Sequence, residues 1–200
     1  IAFCFGAIVG SFLNVVILRT PVMLQREWET QANEILGIES SNTRAPFNLV
    51  FPGSHCPACS HKISPWENIP IISYLILRGR CRNCRINISP RYPLIELLTG
   101  LLTVMLAMQF GFTVTMLACS IMTFALIAAS TIDYDHQLIP DDITLPMMWL
   151  GLIVNFFDIV TPFESAFWGA VAGYLTLWIV FQVFRWVTGK EGLGFGDFKL

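Results

Sequence analysis

The run FTVTMLACSIMTFALIAASTI (residues 112–132) holds 21 residues without one charge, and Asp133 follows it directly. A helix of that length crosses a hydrocarbon core about 30 Å thick, which takes roughly 20 apolar residues. Upstream lies a second apolar stretch, residues 94–109, joined to it through a tight turn at Gly111. A third opens the chain at residues 1–18, with Arg19 and Pro21 expected to end it. Downstream, residues 143–157 and 166–186 form two more, linked by a short segment that contains Pro162. Five spans are therefore predicted, and a sixth apolar element opens near Phe198. Of the 200 residues 54% are hydrophobic and only 13% charged, against about 25% charged in a soluble domain. That deficit excludes an ordinary water-soluble globule. The chain starts inside an apolar run and stops as another begins, so it reads as a piece of a longer protein, incomplete at its C-terminus.

Charge placement orients the spans. Nine of the 12 Lys and Arg residues lie within residues 19–91, and the other three are Arg185, Lys190 and Lys199. The turns at Gly111 and Pro162 carry none. Under the positive-inside rule the basic segment is cytoplasmic. Each following pair of spans returns to the same side, which places residues 133–142 and 190–199 there too. The net charge of −2 gives no reason to expect nucleic acid as a partner.

Residues 20–93 are the only sizeable polar stretch. Residues 25–36 fit a short helix and residues 40–44 a loop. From Pro52 onward Pro, Gly, Asn and Cys dominate, as expected of turns and short strands. So small a domain lacks the apolar positions for a stable core of its own. Cys56-Pro57-Ala58-Cys59 and Cys81-Arg82-Asn83-Cys84 supply what is missing. Each C-x-x-C presents two thiolates from one turn, and two such turns complete the tetrahedral sulfur site that structural zinc accepts. Arg80, Arg82 and Arg85 would offset the thiolate charge. Stable disulfides are disfavoured on the cytoplasmic side. His55 and His61 are expected to be surface residues, and Cys4 and Cys119 packing residues within spans. The fold class that follows is an all-α polytopic membrane protein. A small cytoplasmic zinc-binding domain (residues 20–93) is inserted between the first transmembrane helix (1–19) and a membrane region (94–200).

Ionisable groups at membrane depth are costly and mark functional sites. Asp133 closes the third span, and Asp197 follows the glycines of Gly192-Leu193-Gly194-Phe195-Gly196. Crossing parity puts both at cytoplasmic helix ends. Two carboxylates brought together there would share a proton, leaving one to activate water and the other to polarise a carbonyl. The residues alone leave a second reading open, with Asp133 a helix-end residue and Asp197 the cap of a sixth helix. One of Asp141 and Asp142 is expected to be the N-cap of the fourth span. Asp135 and His136 are expected to be solvated loop residues. Glu96 either pairs with Arg91 or lines a site.

The ordered set of motifs resembles the type IV prepilin leader peptidase family of bacterial membrane enzymes. It comprises Gly10-Ser11-Phe12-Leu13-Asn14-Val15-Val16, the two cysteine pairs, Trp66-Glu67-Asn68-Ile69-Pro70 and Arg91-Tyr92-Pro93-Leu94-Ile95-Glu96. Ile132-Asp133, Leu138-Ile139-Pro140-Asp141 and Gly194-Phe195-Gly196-Asp197 complete it. The resemblance implies an inner-membrane aspartic endopeptidase with Asp133 and Asp197 as its catalytic pair and Cys56, Cys59, Cys81 and Cys84 as its zinc ligands. It implies prepilin and pseudopilin precursors as substrates. In members with the cysteine domain it also implies N-methylation from S-adenosylmethionine. No Gly-rich nucleotide fingerprint follows a strand here, so the methyl-donor site is unassigned. Three other readings are weighed. A presenilin-type or archaeal preflagellin peptidase fits poorly with the large four-cysteine loop. A transporter with carboxylate relays would place its acids near the midplane. A non-catalytic scaffold would tolerate loss of both aspartates.

Overall fold

The computed structural model describes residues 1–38 and 46–189, and it is helical throughout its apolar stretches. It divides into two compact units, residues 1–109 and 110–200. The predicted loop at 40–44, Asp197 with its preceding glycines, Lys190, Lys199 and the element near Phe198 lie outside the described residues.

In the first unit, α1 (Ala2–Leu36) and α3 (Arg91–Phe110) flank the cysteine module, which contains a short 3-10 turn (Pro65–Asn68) and α2 (Ile72–Ile76). The sequence predicts that α1 ends at Arg19 and Pro21 and that a separate helix follows. Instead one helix of 35 residues runs through both, with Pro21 inside it. Arginine is itself a good helix former, and the Arg19 guanidinium is engaged outside the helix. It donates to the carbonyl oxygens of Asn48 (2.8 Å) and Pro52 (2.6 Å). The Phe47 ring lies 5.7 Å from the Arg19 guanidinium and 4.5 Å from that of Arg26. At about 1.5 Å per residue α1 is about 52 Å long, so its C-terminal part extends well beyond a hydrocarbon core. Gly37, with φ 65°, ends it in the left-handed conformation.

Helices α1 and α3 touch through small residues. A Cβ added at Gly10 would collide with Thr99 Oγ1 and lie 2.8 Å from the Glu96 Cα. One added at Gly6 would lie 2.7 Å from the Thr99 carbonyl oxygen. This is the close backbone approach that a G-x-x-x-G spacing permits between membrane helices. Thr99 and Thr103 are fully buried here, and their hydroxyls donate to carbonyls one turn back in α3 (2.8 and 2.7 Å). Asn14 Nδ2 donates to the Tyr92 carbonyl at 3.1 Å.

The second unit is an antiparallel succession of α4 (Val114–His136), α5 (Asp141–Phe156) and α6 (Phe163–Thr188), with α5 packed on both neighbours. Thr113 caps α4 by accepting from the Met116 amide. At the start of α5 the expected aspartate N-cap is not formed. Pro140 takes the cap position, and Asp141 and Asp142 fall in the first turn. Proline suits a helix start, and both carboxylates there face the positive end of the helix dipole. Thr115 Oγ1 donates to the Ile159 carbonyl at 3.2 Å, tying the start of α4 to the α5–α6 turn. Among the described residues, four helices, α1, α3, α4 and α6, are long and apolar enough to cross a membrane. Helix α5, the fourth predicted span, has 16 residues and measures about 24 Å. The outward-facing side chains of α6 are large and apolar, among them Phe167, Trp168, Trp178 and Val183. In water such a surface would aggregate, whereas acyl chains match it. The chain is thus a multi-pass helical membrane protein.

Candidate functional site

The two cysteine turns share one backbone plan, 25 residues apart. In the first, the Ser60 amide donates to the Cys56 carbonyl and the Cys56 amide to the His61 carbonyl, both at 2.9 Å. In the second, the Arg85 amide donates to the Cys81 carbonyl at 3.0 Å and the Cys81 amide to the Ile86 carbonyl at 2.9 Å. Single antiparallel bridges, His55 with Lys62 and Arg80 with Asn87, close the two loops. Both turns require a left-handed residue just after the second cysteine. Ser60 (φ 56°) and Arg85 (φ 58°) take that conformation, a role usually given to Gly or Asn.

These turns bring the four sulfurs together. Cys56 Sγ lies 3.7 Å from Cys84 Sγ, and Cys59 Sγ lies 4.0 Å from Cys81 Sγ. All four lie within 4.8 Å of one another. A tetrahedral site with metal–sulfur distances of about 2.3 Å has sulfurs about 3.8 Å apart, whereas a disulfide would hold them at about 2.05 Å. The donor set therefore fits a tetrahedral metal ion, and the four cysteines can hold one. Cys56 and Cys81 are buried, Cys59 is half-buried and Cys84 exposed. Neither His55 nor His61 joins the cluster.

Hydrogen bonding divides the thiols. A backbone hydrogen bond from His61, helped by the Asn83 side chain, holds Cys59 down to about 6. Backbone hydrogen bonds from Cys84 and Asn83 also lower Cys81. At Cys84 a backbone hydrogen bond from Ile86 pulls the pKa down. Desolvation and the neighbouring Cys59, Cys81 and Cys56 sulfurs outweigh it and push the thiol up to about 11. Without a cation, then, hydrogen bonding favours the thiolate at Cys59, eases ionisation of Cys81 and leaves Cys84 resisting it. A divalent ion is what lets all four ionise together.

Glu67 braces the module. Its carboxylate accepts from the Ser64 amide at 3.0 Å and lies 3.4 Å from the Arg82 guanidinium and 3.6 Å from His61 Nε2. The Ser64 backbone hydrogen bond, with Ser64 and Arg82 side-chain bonds and the His61 charge, keeps its pKa below the ordinary carboxylate value. Glu96 does a related job from within α3. It is buried, and its Oε2 accepts from the Ile71 amide at 2.8 Å. Ile71 sits at φ 62°, a costly conformation for a β-branched residue.

Asp133 is half-buried in the last turn of α4, three residues before His136 ends it. Gln137, left-handed at φ 53°, donates its amide to the Asp133 carbonyl at 2.8 Å. A carboxylate in a last helical turn faces the negative end of the dipole and destabilises the helix. Asp133 is therefore not placed there for helix stability. Asp135 and His136 are exposed, as expected, but they belong to the last turn of α4 and not to a loop. Sequence reading did not find the Glu96–Ile71 bond, the Glu67 brace or the G-x-x-x-G contact. The Gly6–Gly10 spacing and the S-x-x-E capping-box pattern of Ser64 and Glu67 were the signals available.

Comparison with known proteins covers both units. Residues 4–110 match the bacterial peptidase A24 N-terminal domain, and residues 119–200 match the type IV leader peptidase family. A prepilin leader peptidase/N-methyltransferase of Stutzerimonas stutzeri is 54% identical over 199 residues, covering 100% of this chain and 69% of that protein. Its counterpart in Pseudomonas aeruginosa is 53% identical over 195 residues, covering 98% of this chain and 67% of that protein. The Neisseria gonorrhoeae protein of the same name is 50% identical over 196 residues, covering 98% and 68%. No solved structure matches the chain.

Proposed function

The chain belongs to the type IV leader peptidase family, and from that premise we propose that it removes the leader peptide from type IV prepilins. We extend the reading to the pseudopilins of type II secretion and to N-methylation of the residue that cleavage exposes. Asp133 and Asp197 are the catalytic pair. One carboxylate, ionised, takes a proton from water as it attacks the scissile carbonyl. The other, protonated, hydrogen-bonds the carbonyl oxygen and later returns a proton to the leaving amine. The observation that carries the reading is Asp133 itself. It is a half-buried carboxylate in the last turn of a membrane-length helix, where the dipole opposes it, inside the stretch matched to the peptidase family. Its place at a helix end also argues against a proton relay, which needs acids near the midplane.

Cys56, Cys59, Cys81 and Cys84 hold a structural zinc ion, whose coordination would supply folding free energy to a module without a large core. S-adenosylmethionine is the methyl donor for the second activity, as the names of the relatives suggest. The chain resides in the bacterial inner membrane, with the cysteine module and both aspartates facing the cytoplasm. The substrates fit that arrangement, since a hydrophobic helix can enter from the bilayer while its basic leader stays in water. The test is leader removal from a co-expressed pilin-type precursor, read on a gel at matched membrane levels. Asp133→Asn and Asp197→Asn should each lower cleavage by about a hundredfold or more. Normal cleavage by either variant would dismiss the pair.

A further inference from the structure

Helix α2 shows large apolar side chains to the outside. Ile72 is 54% exposed, Leu75 67% and Ile76 74%, on one face at i, i+3 and i+4 spacing. The 3-10 turn packed against α2 leaves Trp66 80% exposed. Immediately after α2 the chain turns into the second cysteine loop. There Arg78, Arg80, Arg82 and Arg85 line a groove of about 430 Å³ together with Ile76, Leu77 and Cys81. Arg82 approaches Glu67. Arg78, Arg80 and Arg85 are exposed and have no carboxylate partner among the described residues. Tyr74, whose hydroxyl donates to the Ile88 carbonyl at 3.5 Å, links α2 to the same loop.

The depth of this face is fixed by one bond. Ile71, the residue before α2, donates its amide to Glu96, the sixth residue of α3. Glu96 lies about 8 Å along α3 from its first residue. Helix α3 is long and apolar enough to cross a membrane, and its charge-free run begins just after Glu96, so the bond ties the start of α2 near the level at which a crossing α3 would enter the bilayer. Exposed apolar side chains, a tryptophan and clustered arginines at that level are the features that bind a membrane interface.

We propose that α2 and the arginine groove form a docking surface for anionic phospholipid of the same bilayer that α1 and α3 cross. Ile72, Leu75 and Ile76 enter the acyl boundary, and Arg78, Arg80 and Arg85 take the headgroup phosphates. The four arginines of the groove outnumber the two negative charges of a metal-loaded four-thiolate cluster and the Glu67 carboxylate, and that surplus positive charge beside an apolar face selects anionic lipid over a neutral one. The test places the protein in nanodiscs of phosphatidylcholine, with and without phosphatidylglycerol, and follows amide exchange across residues 72–88. Exchange should slow when phosphatidylglycerol is present. Arg78→Gln should reduce that protection about fivefold and Arg78→Glu should reduce it further, with bound metal per chain unchanged as the check that the module is folded. A photoreactive residue in place of Ile76 should yield lipid adducts. Equal exchange in the two lipids, or variants that keep full protection, would overturn the proposal. So would adducts formed only with an added precursor polypeptide, which would make the face a protein-binding surface.

Discussion

Cys59 and Cys84 belong to one cluster yet are pulled in opposite directions, the first held down to about 6 and the second pushed up to about 11. The consequence is a sign and a slope. Metal binding needs all four thiolates, so it releases the proton that Cys84 holds at neutral pH. Affinity should therefore rise as pH rises, by about tenfold per unit for that one proton. Competition against a chromophoric chelator between mildly acidic and mildly alkaline pH reads the slope directly, and a flat profile would mean that Cys84 is not a ligand. Glu67 has the opposite linkage. Its folded pKa is depressed by the Ser64 backbone bond and its neighbours, so its support is present above the ordinary carboxylate pKa and is lost as pH falls through the folded value. The C-x-x-C spacing made the four-sulfur cluster legible in the sequence. The left-handed Ser60 and Arg85 were not legible, because neither is the Gly or Asn that signals a positive φ.

Helices α1 and α3 are coupled by two kinds of contact, and each can be broken singly. Gly10→Ala adds a methyl group that meets Thr99 and the α3 backbone, and overpacking of this kind costs about 1–3 kcal/mol. A lower midpoint for thermal unfolding in detergent is the expected outcome. Glu96→Ala leaves the part-buried Ile71 amide without its acceptor, which costs about 1 kcal/mol, and it also frees Ile71 from its positive-φ conformation. Protease sensitivity should then increase within residues 69–78, while α1 and α3 stay helical. Unchanged sensitivity would show that the bond does not hold α2 in place. The apolar runs placed every long helix, because length and lack of charge carry that information. They misplaced the end of α1, because arginine is itself a good helix former and Arg19 is satisfied by carbonyls of Asn48 and Pro52 that lie about 30 residues away in sequence. The role of Glu96 was hidden for a related reason. Its partner is a backbone amide, and no side-chain pattern announces one.

Across the whole chain, the proposed chemistry depends on whether α5 crosses the bilayer. On the proposed span count, α3 would leave the side of the cysteine module and α4 would return, which would put Asp133 on that side. If α5 crosses, α6 returns as well and Asp197 arrives on the same side as Asp133. If α5 lies along the surface instead, α6 ends on the far side and the two carboxylates cannot meet. At about 24 Å, α5 is roughly 6 Å short of an average hydrocarbon core. Residues 143–156 carry no charge, however, and Trp149, Phe156 and Phe157 are exposed large aromatics. Thinning of the local bilayer, or aromatic anchoring at the interface, absorbs a mismatch of this size at a modest cost. The expected arrangement is therefore a crossing, with the 157–162 turn in the periplasm. Alkaline phosphatase fused after Thr161 should be active, since the enzyme folds only outside the cytoplasm, and the same reporter fused after Gly189 should be silent. A silent fusion at Thr161 would lay α5 on the cytoplasmic surface and separate Asp133 from Asp197. The shared-proton mechanism would fail with it, even if each aspartate proved essential alone.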